Sequence, residues 1–502
     1  MKNQVQLITY VDRLAGTLPG LQELLLSGSL RGLFAAVHLL PFFHPIDGAD
    51  AGFDPIDHTA VDARLGSWED VRALGTGIDI MADVIVNHIS RRSGPFQDYL
   101  ARDAQSPHDG MFLTFERVFP QGASESELLA IYRPRPGLPF TAVTLQDGRR
   151  RIFWTTFTAE QMDIDVTHPR GIEYLDDILR TFSDNGIRII RLDAVGYAIK
   201  QAGKSCFMMP GTFEFIRDFS ARAQRLGLQV LVEIHSYFRR QVEIAQHVDW
   251  VYDFALPPLV LHTLFNGNSR RLQDWLGLRP PNCLTVLDTH DGIGIIDIGA
   301  DPEAPGSRPG LVSPEELAGI VERIHANSQG QSARATGAAA DNLDLYQVNC
   351  TFYDALGRKD AAYLTARAIQ FFVPGIPQVY YVGLLAGCND MELLARTGVG
   401  RDINRHYYTG AQVEEALTQP VVQSLLELIR LRNTHPAFAG EFRLVQSPDD
   451  ELEMHWVNGA QFARLRVFLA TSDSRIEYSR GNAEVGVFQM GRAAARLTRA
   501  AL

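Results

Sequence analysis

The chain has 502 residues, of which 46% are hydrophobic and 21% charged, and its formal net charge is −12. This length exceeds one ordinary domain but suits a large α/β barrel with insertions, and the hydrophobic share is that of a soluble globular protein. The negative balance argues against nucleic acid or an anionic membrane as partner, while leaving room for a local cationic pocket that takes a small anion. The N-terminal MKNQVQLITYVDRL lacks a basic segment followed by an apolar core, so no secretory signal is expected. No apolar run approaches the ~20 residues needed to cross a bilayer. Cys206, Cys283, Cys350 and Cys388 are widely spaced and unpatterned. They suggest neither a zinc site nor a disulfide framework, and a reduced, cytoplasmic compartment is expected.

In chain order, apolar and β-branched runs predict strands at 4–10, 34–42, 78–86, 187–195, 228–235, 248–256, 283–290 and 368–382. Several are apolar on both faces, as buried parallel strands are, and amphipathic helical stretches separate several of them. The last run contains two Pro residues, so only part of it can be regular strand. Alternation of strand and helix predicts an α/β class. Polar groups gathered at strand ends favour a (β/α)8 TIM barrel over a doubly wound sheet, and no Gly-rich dinucleotide loop follows the first strand. The barrel is expected over 1–435, with inserted loop subdomains at 89–185 after strand 3 and 292–367 after strand 7. ELEMHWV (451–457) and ARLRVFLA (463–470) read as antiparallel strands of a small C-terminal β domain over 436–502.

Three strand ends carry chemistry. In RLDAVGY (191–197), alternation places Arg191 and Asp193 on one face and Ile190 and Leu192 on the other. LVEIHSY (231–237) supplies Glu233, and LDTHDGIG (287–294) supplies Asp288 and Asp291. One such carboxylate is equally well explained as a helix cap or a surface ion pair; three at successive strand ends are not. Retaining glycosyl transfer needs a nucleophile and an acid/base about 5–5.5 Å apart. The nucleophile must stay ionised, which a neighbouring Arg favours; Asp193 fits. The acid must be protonated when it meets the glycosidic oxygen, and Glu233 on its apolar strand fits. Asp288, read as lying inside the strand, suits a buried structural partner, so Asp291 is preferred as the third carboxylate.

DVIVNH (83–88), RLDAVGY, the Glu of VEIHSY and THDGIG (289–294) resemble the conserved blocks of the α-amylase superfamily, in order. Four longer stretches resemble the sucrose phosphorylase family within it: 47–70, IYRPRPGLPFT (131–141), NLDLYQVN (342–349) and GRDINRHYY (400–408). The resemblance extends to about residue 440. It implies that Asp193 forms a β-glucosyl ester, Glu233 is the acid/base and Asp291 stabilises the transition state by gripping sugar hydroxyls. It places Asp50, His88, Arg191, His290 and Arg401 round the glucose, with Phe53 and Phe157 offering apolar faces. A pyranose needs bidentate partners for vicinal hydroxyls, which Asp and Arg supply.

Holding phosphate asks for Arg forks and other donors; Tyr132, Arg133, Arg135, His235, Tyr346 and Gln347 are the candidates. The resemblance brings Arg135, Tyr346 and His235 to phosphate and Asp344 to fructose. Loops 132–140 and 341–347 are expected to exchange an Asp-lined for an Arg-lined pocket. AVGYAIK after the nucleophile replaces the Lys-His pair of typical amylases, which disfavours long starch chains. No calcium cluster is evident and two-carboxylate chemistry needs no metal, so neither metal nor cofactor is expected. The implied small molecules are sucrose, phosphate, glucose 1-phosphate and fructose, and the implied assembly is a homodimer. Phosphorylases of sucrose 6′-phosphate, glucosylglycerol or glucosylglycerate are the near alternatives. Pro134 and Leu343 stand where a reader of an extra phosphate would want a basic side chain. A sucrose hydrolase or transglucosidase, and a non-catalytic scaffold, are the remaining readings.

Overall fold

A computed structural model describes residues 1–48, 50–134, 137–302, 304, 306–336, 347–471, 473–480, 484–490 and 498–500. Eight strands close into a parallel barrel: β1 (Gln6–Thr9), β2 (Ala36–Leu39), β3 (Asp79–Ile85), β4 (Ile189–Asp193), β5 (Gln229–Val232), β6 (Trp250–Asp253), β7 (Cys283–Thr285) and β8 (Ile376–Tyr380). Each strand pairs with its sequence neighbours, and β8 pairs with both β7 and β1. Residues along these strands are buried almost throughout, because helices cover the outside and side chains fill the inside. The expected (β/α)8 architecture is therefore present.

Two sequence expectations need correction. The run 368–382 is not one strand: Ala368 to Phe372 ends the helix Asp360–Phe372, and β8 starts only after Pro374 and Gly375. The apolar run is continuous because that helix segment is itself buried, and periodicity cannot separate a buried helix from a buried strand. Secondly, β7 ends at Thr285, so Asp288 follows the strand rather than lying within it.

Covering helices open with the signals their sequences carry. Pro169, Pro210, Pro314 and Pro420 each stand at a helix start, where the missing N–H costs nothing. Ser313 and Glu316 form a reciprocal capping box. Leu175, Ile178, Leu179 and Phe182 make the buried stripe of the helix Pro169–Asp184.

Between β3 and that helix lie an antiparallel hairpin, Phe140–Thr144 with Arg150–Trp154, and a short ladder pairing His88–Ser90 with Gln161–Asp163. After β7, Ile293–Gly294 pairs with Gln347–Val348, bringing the far end of the second long connection back to the barrel mouth. Beyond the last barrel helix is a six-stranded antiparallel sheet: β9 (Glu441–Val445), β10 (Glu451–Asn458), β11 (Gln461–Phe468), β12 (Asp473–Arg480), β13 (Glu484–Met490) and β14 (Thr498–Ala500). Along β10, Leu452, Met454 and Trp456 alternate inward. The sheet docks on the helix Asp360–Phe372: Trp456 Nε1 donates to the Phe372 carbonyl at 2.7 Å, and the Thr365 and Ser474 hydroxyls meet.

Candidate active site

The site is built at the C-terminal ends of the barrel strands. Register sets Arg191 on β4 beside Asp83 on β3, and both side chains enter the barrel. Arg191 Nη1 donates to Asp83 Oδ1 at 2.6 Å and to Asp193 Oδ1 at 3.0 Å, and its Nη2 lies 3.9 Å from Glu233 Oε1. The face shared by Arg191 and Asp193 is thus as strand alternation requires. Asp83 is itself held by His38, whose Nε2 lies 3.1 Å from Oδ2. Burial opposes ionisation of Asp83, but His38 and Arg191 together hold its carboxyl well below the usual range.

Asp193 behaves differently from the sequence expectation. Burial pushes its carboxyl well up, Arg191 opposes this, and the charges of Glu233, Asp83 and Asp291 add to the rise. A neighbouring Arg alone would lower it; one buried guanidinium shared among three carboxylates does not neutralise them all.

Directly after Asp193 the chain turns through Ala194 at φ 55°, a left-handed conformation unusual for a residue with a Cβ. This turn starts a helical turn, Val195–Tyr197, that delivers Tyr197 to the site.

On the other side, Asp291 Oδ1 lies 2.8 Å from Arg401 Nη1 and 3.8 Å from Arg405 Nη2. Burial works against its charge, but Arg401, His290, Arg405 and His235 hold its carboxyl far below the usual range. Arg405 also donates to the His290 carbonyl at 2.9 Å, so it braces the chain at the strand exit. Asp288 points away, into a buried pair with Arg367 at 2.6 Å, which leaves Asp291 as the carboxylate facing the cavity.

That cavity encloses about 80 Å³ and is lined by Asp50, Phe53, His88, Pro134, Phe157, Asp193, Ala194, Tyr197, Glu233, His290, Asp291, Gln347 and Arg401. Every residue assigned from sequence to catalysis or to the glucose side is in this lining except Arg191, which lies behind the carboxylates. Phe53 stacks on His290 with ring centres 4.8 Å apart, and Phe157 meets His88 and Tyr197 edge-on. Gln347 is buried, and its Nε2 has no hydrogen-bond partner among the described residues. A buried donor left open at a cavity wall is a natural contact for a polyol hydroxyl. Burial lowers both His88 and His290, so both are neutral hydrogen-bonding groups at neutral pH.

The acceptor-side assignments divide. His235 follows Glu233 by two residues, with Nε2 3.7 Å from Glu233 Oε1 and its ring stacked on Phe254 at 3.8 Å. Tyr132 stacks on Phe207 at 4.7 Å and lies near Tyr197. Arg133 is exposed, and its Nη1 donates to the Gly137 carbonyl. Arg135, Asp344 and Tyr346 lie outside the described residues, as does most of the 341–347 loop.

Two clusters bear on metals. Glu233, His235 and Asp291 present ligand atoms within 4.8 Å of one another. His235 is already hydrogen-bonded to Asp297, and Asp291 is already paired with Arg401, so a cation there would compete with built-in partners. Below His88, the Lys200 ammonium is buried between Asp163 Oδ2 at 2.5 Å and Asn87 Oδ1 at 2.7 Å. The protein's own cation satisfies that carboxylate and ties the 161–163 strand to the loop after β4.

Tyr197, Asp83, Arg405 and Asp297 were missed as site residues. Tyr197 and Asp83 sit inside the blocks read from sequence, but strand parity stops at Asp193 and says nothing of a side chain beyond the turn. Arg405 is four residues from Arg401 in a loop without periodicity, and nothing local separates the two.

Comparison with known proteins agrees with this geometry. The family model "Alpha amylase, catalytic domain" matches residues 14–242. The chain is 58% identical to a sucrose phosphorylase of Agrobacterium vitis, over 95% of this chain and 98% of that one. It is 54% identical to one from Bifidobacterium adolescentis, over 91% and 90%. A crystal structure of sucrose 6F-phosphate phosphorylase from Thermoanaerobacter thermosaccharolyticum superposes with a TM-score of 0.89 at 38% identity, covering 97% of this chain and 98% of that one. With an amylase-type barrel, a three-carboxylate cavity and relatives this similar over nearly their whole length, the chain belongs to the sucrose phosphorylase family.

Proposed function

We propose that this protein transfers the glucosyl unit of sucrose to inorganic phosphate, giving α-D-glucose 1-phosphate and D-fructose with retention. Asp193 attacks the anomeric carbon, the bond to the fructosyl oxygen breaks, and Glu233 gives that oxygen its proton. Phosphate then attacks the same carbon, the ester to Asp193 breaks, and Glu233 takes the phosphate proton. Asp291, kept anionic by Arg401 and Arg405, accepts hydrogen bonds from glucose hydroxyls as the ring flattens toward the transition state. The observation that carries the reading is the convergence of Asp193 and Glu233 on one buried guanidinium in the cavity that also holds Asp291.

Relatives at 39% and 40% identity are named glucosylglycerol phosphorylase and sucrose 6(F)-phosphate phosphorylase, so the same carboxylates are compatible with other acceptors. Plain sucrose is preferred because the 58% and 54% identities are to sucrose phosphorylases. Action in the reduced cytoplasm fits four cysteines without a disulfide, and we take the working unit to be a homodimer. The deciding experiment is release of glucose 1-phosphate and fructose from sucrose with and without phosphate. Phosphate-dependent glucose 1-phosphate supports the reading; free glucose at the same rate in both makes the protein a hydrolase. Turnover of sucrose 6′-phosphate alone moves it to the neighbouring specificity.

A further inference from the structure

The loop that carries Asp291 turns back through Ile293–Gly294 and makes a single helical turn at Ile296–Ile298. Asp297 in that turn is fully buried, and both its oxygens are used. Oδ2 accepts from His235 Nδ1 at 2.8 Å; Oδ1 accepts from the Ser236 backbone N–H at 3.1 Å and from Gln241 Nε2 at 2.8 Å. With Nδ1 committed to Asp297, the other ring nitrogen is the one that faces Glu233. Phe254 stacks on the ring and blocks rotation. Gly294 makes room for the pair: a Cβ there would fall 2.3 Å from Asp297 Oδ2 and 2.9 Å from His235 Nδ1. The same Gly294 pairs in register with Gln347, so the pair is tied to the cavity wall.

We propose that Asp297 is a positioning residue that fixes His235 beside Glu233 for an anionic acceptor, and so biases the glucosyl unit toward phosphate and away from water. This rests on the phosphorylase reading given above. The electrostatics agree. Burial lowers the imidazole's proton affinity, but Asp297, Glu233 and Asp291 outweigh it and raise the affinity above that of a free histidine. These carboxylates come from the β5 exit and the β7 loop; Phe254, packed from the β6 side, brings no charge. An imidazolium beside the acid/base attracts a phosphate dianion strongly and a neutral water weakly.

The test is Asp297→Asn, which keeps the shape and removes the charge. Losing a charge-assisted hydrogen bond of this kind is expected to raise KM for phosphate and lower the ratio of glucose 1-phosphate to free glucose about tenfold. The basic limb of phosphorolysis shifts to lower pH, since the imidazolium is lost sooner. Adding Asp297→Asn to His235→Asn has no further effect on the ratio, because the Asp acts through the His. Independently of turnover, the NMR titration of the His235 ring moves to lower pH in Asp297→Asn. If this variant does not fold, Gly294→Ala displaces the same pair and is expected to give the same two readouts. An unchanged product ratio with an unmoved His235 titration overturns the proposal. If the wild type makes no glucose 1-phosphate, the functional reading fails, and the titration alone still decides whether Asp297 sets the charge on His235.

Discussion

At the residue scale, two aspartates three positions apart do opposite jobs, and substitution separates them. Asp291→Asn removes a charge that faces the cavity, and Asp193→Asn removes the attacking group; each is expected to cut turnover by about 10⁴-fold or more, and Asp193→Asn, which deletes a carboxyl whose charged form burial disfavours, is expected to leave the unfolding midpoint no lower than that of the wild type. Arg367→Met strands the buried Asp288 carboxylate and is expected to cost about 3–5 kcal/mol of stability. A comparable loss of activity from Arg367→Met without a loss of stability would reverse this assignment. The raised carboxyl of Asp193 has its own consequence. An aspartate must be ionised to attack, so fructose release falls as pH drops through a midpoint above the 3.8 of a free aspartate. A pH–rate profile flat down to pH 4 would contradict this. The three carboxylates were legible because charged residues at the ends of apolar strands stand out against the run. The sign of the Asp193 shift was not legible. It depends on how many carboxylates share Arg191, and Asp83 lies more than a hundred residues away along the chain.

At the element scale, a buried cation helps hold the insertion after β3 to the barrel, alongside the ladder between His88–Ser90 and Gln161–Asp163. Lys200 reaches Asp163 and Asn87, and the Trp154 ring lies 5.9 Å from its ammonium. Lys200→Met keeps the stem and removes the charge, leaving the Asp163 carboxylate buried beside Thr156. The expected cost is about 3–5 kcal/mol, read from the denaturant midpoint, together with weaker sucrose turnover, because His88 pairs in register with Asp163 and Phe157 lies in the loop that leads into the same strand. A midpoint within experimental error of the wild type would show that water replaces the ammonium at no cost. The barrel strands were legible because each is short, apolar and closed by a polar turn. Strand 8 was overrun because the buried end of the helix Asp360–Phe372 is as apolar as the strand it precedes. The end of β7 was overrun because Val286 and Leu287 continue the apolar run after pairing has stopped at Thr285.

Over the whole molecule, the polar groups packed beneath the site make stability depend on pH. His58 donates from Nε2 to the Asp83 carbonyl at 3.1 Å and packs on Phe43 and Phe182, and burial lowers its pKa to about 4. An unfolded histidine takes up its proton near pH 6.5, while the folded one refuses it until about pH 4. The unfolded state therefore gains protons relative to the native state as pH falls through this window, and stability is lost on the acid side. For His58 alone the loss between pH 8 and pH 5 is about 2 kcal/mol by linkage. His88 and His290, also lowered, act in the same direction. His235 and Asp193, whose proton affinities are raised, act in the opposite direction, so the total slope is a balance between the two sets. The contribution of His58 can be isolated by comparison with His58→Gln, which has no proton to take up. The variant is expected to be less stable than the wild type at pH 8 and to recover about 2 kcal/mol relative to it by pH 5. A stability difference that stays constant across this range would mean that His58 does not carry the depressed proton affinity, and would put the acid sensitivity on the site histidines instead.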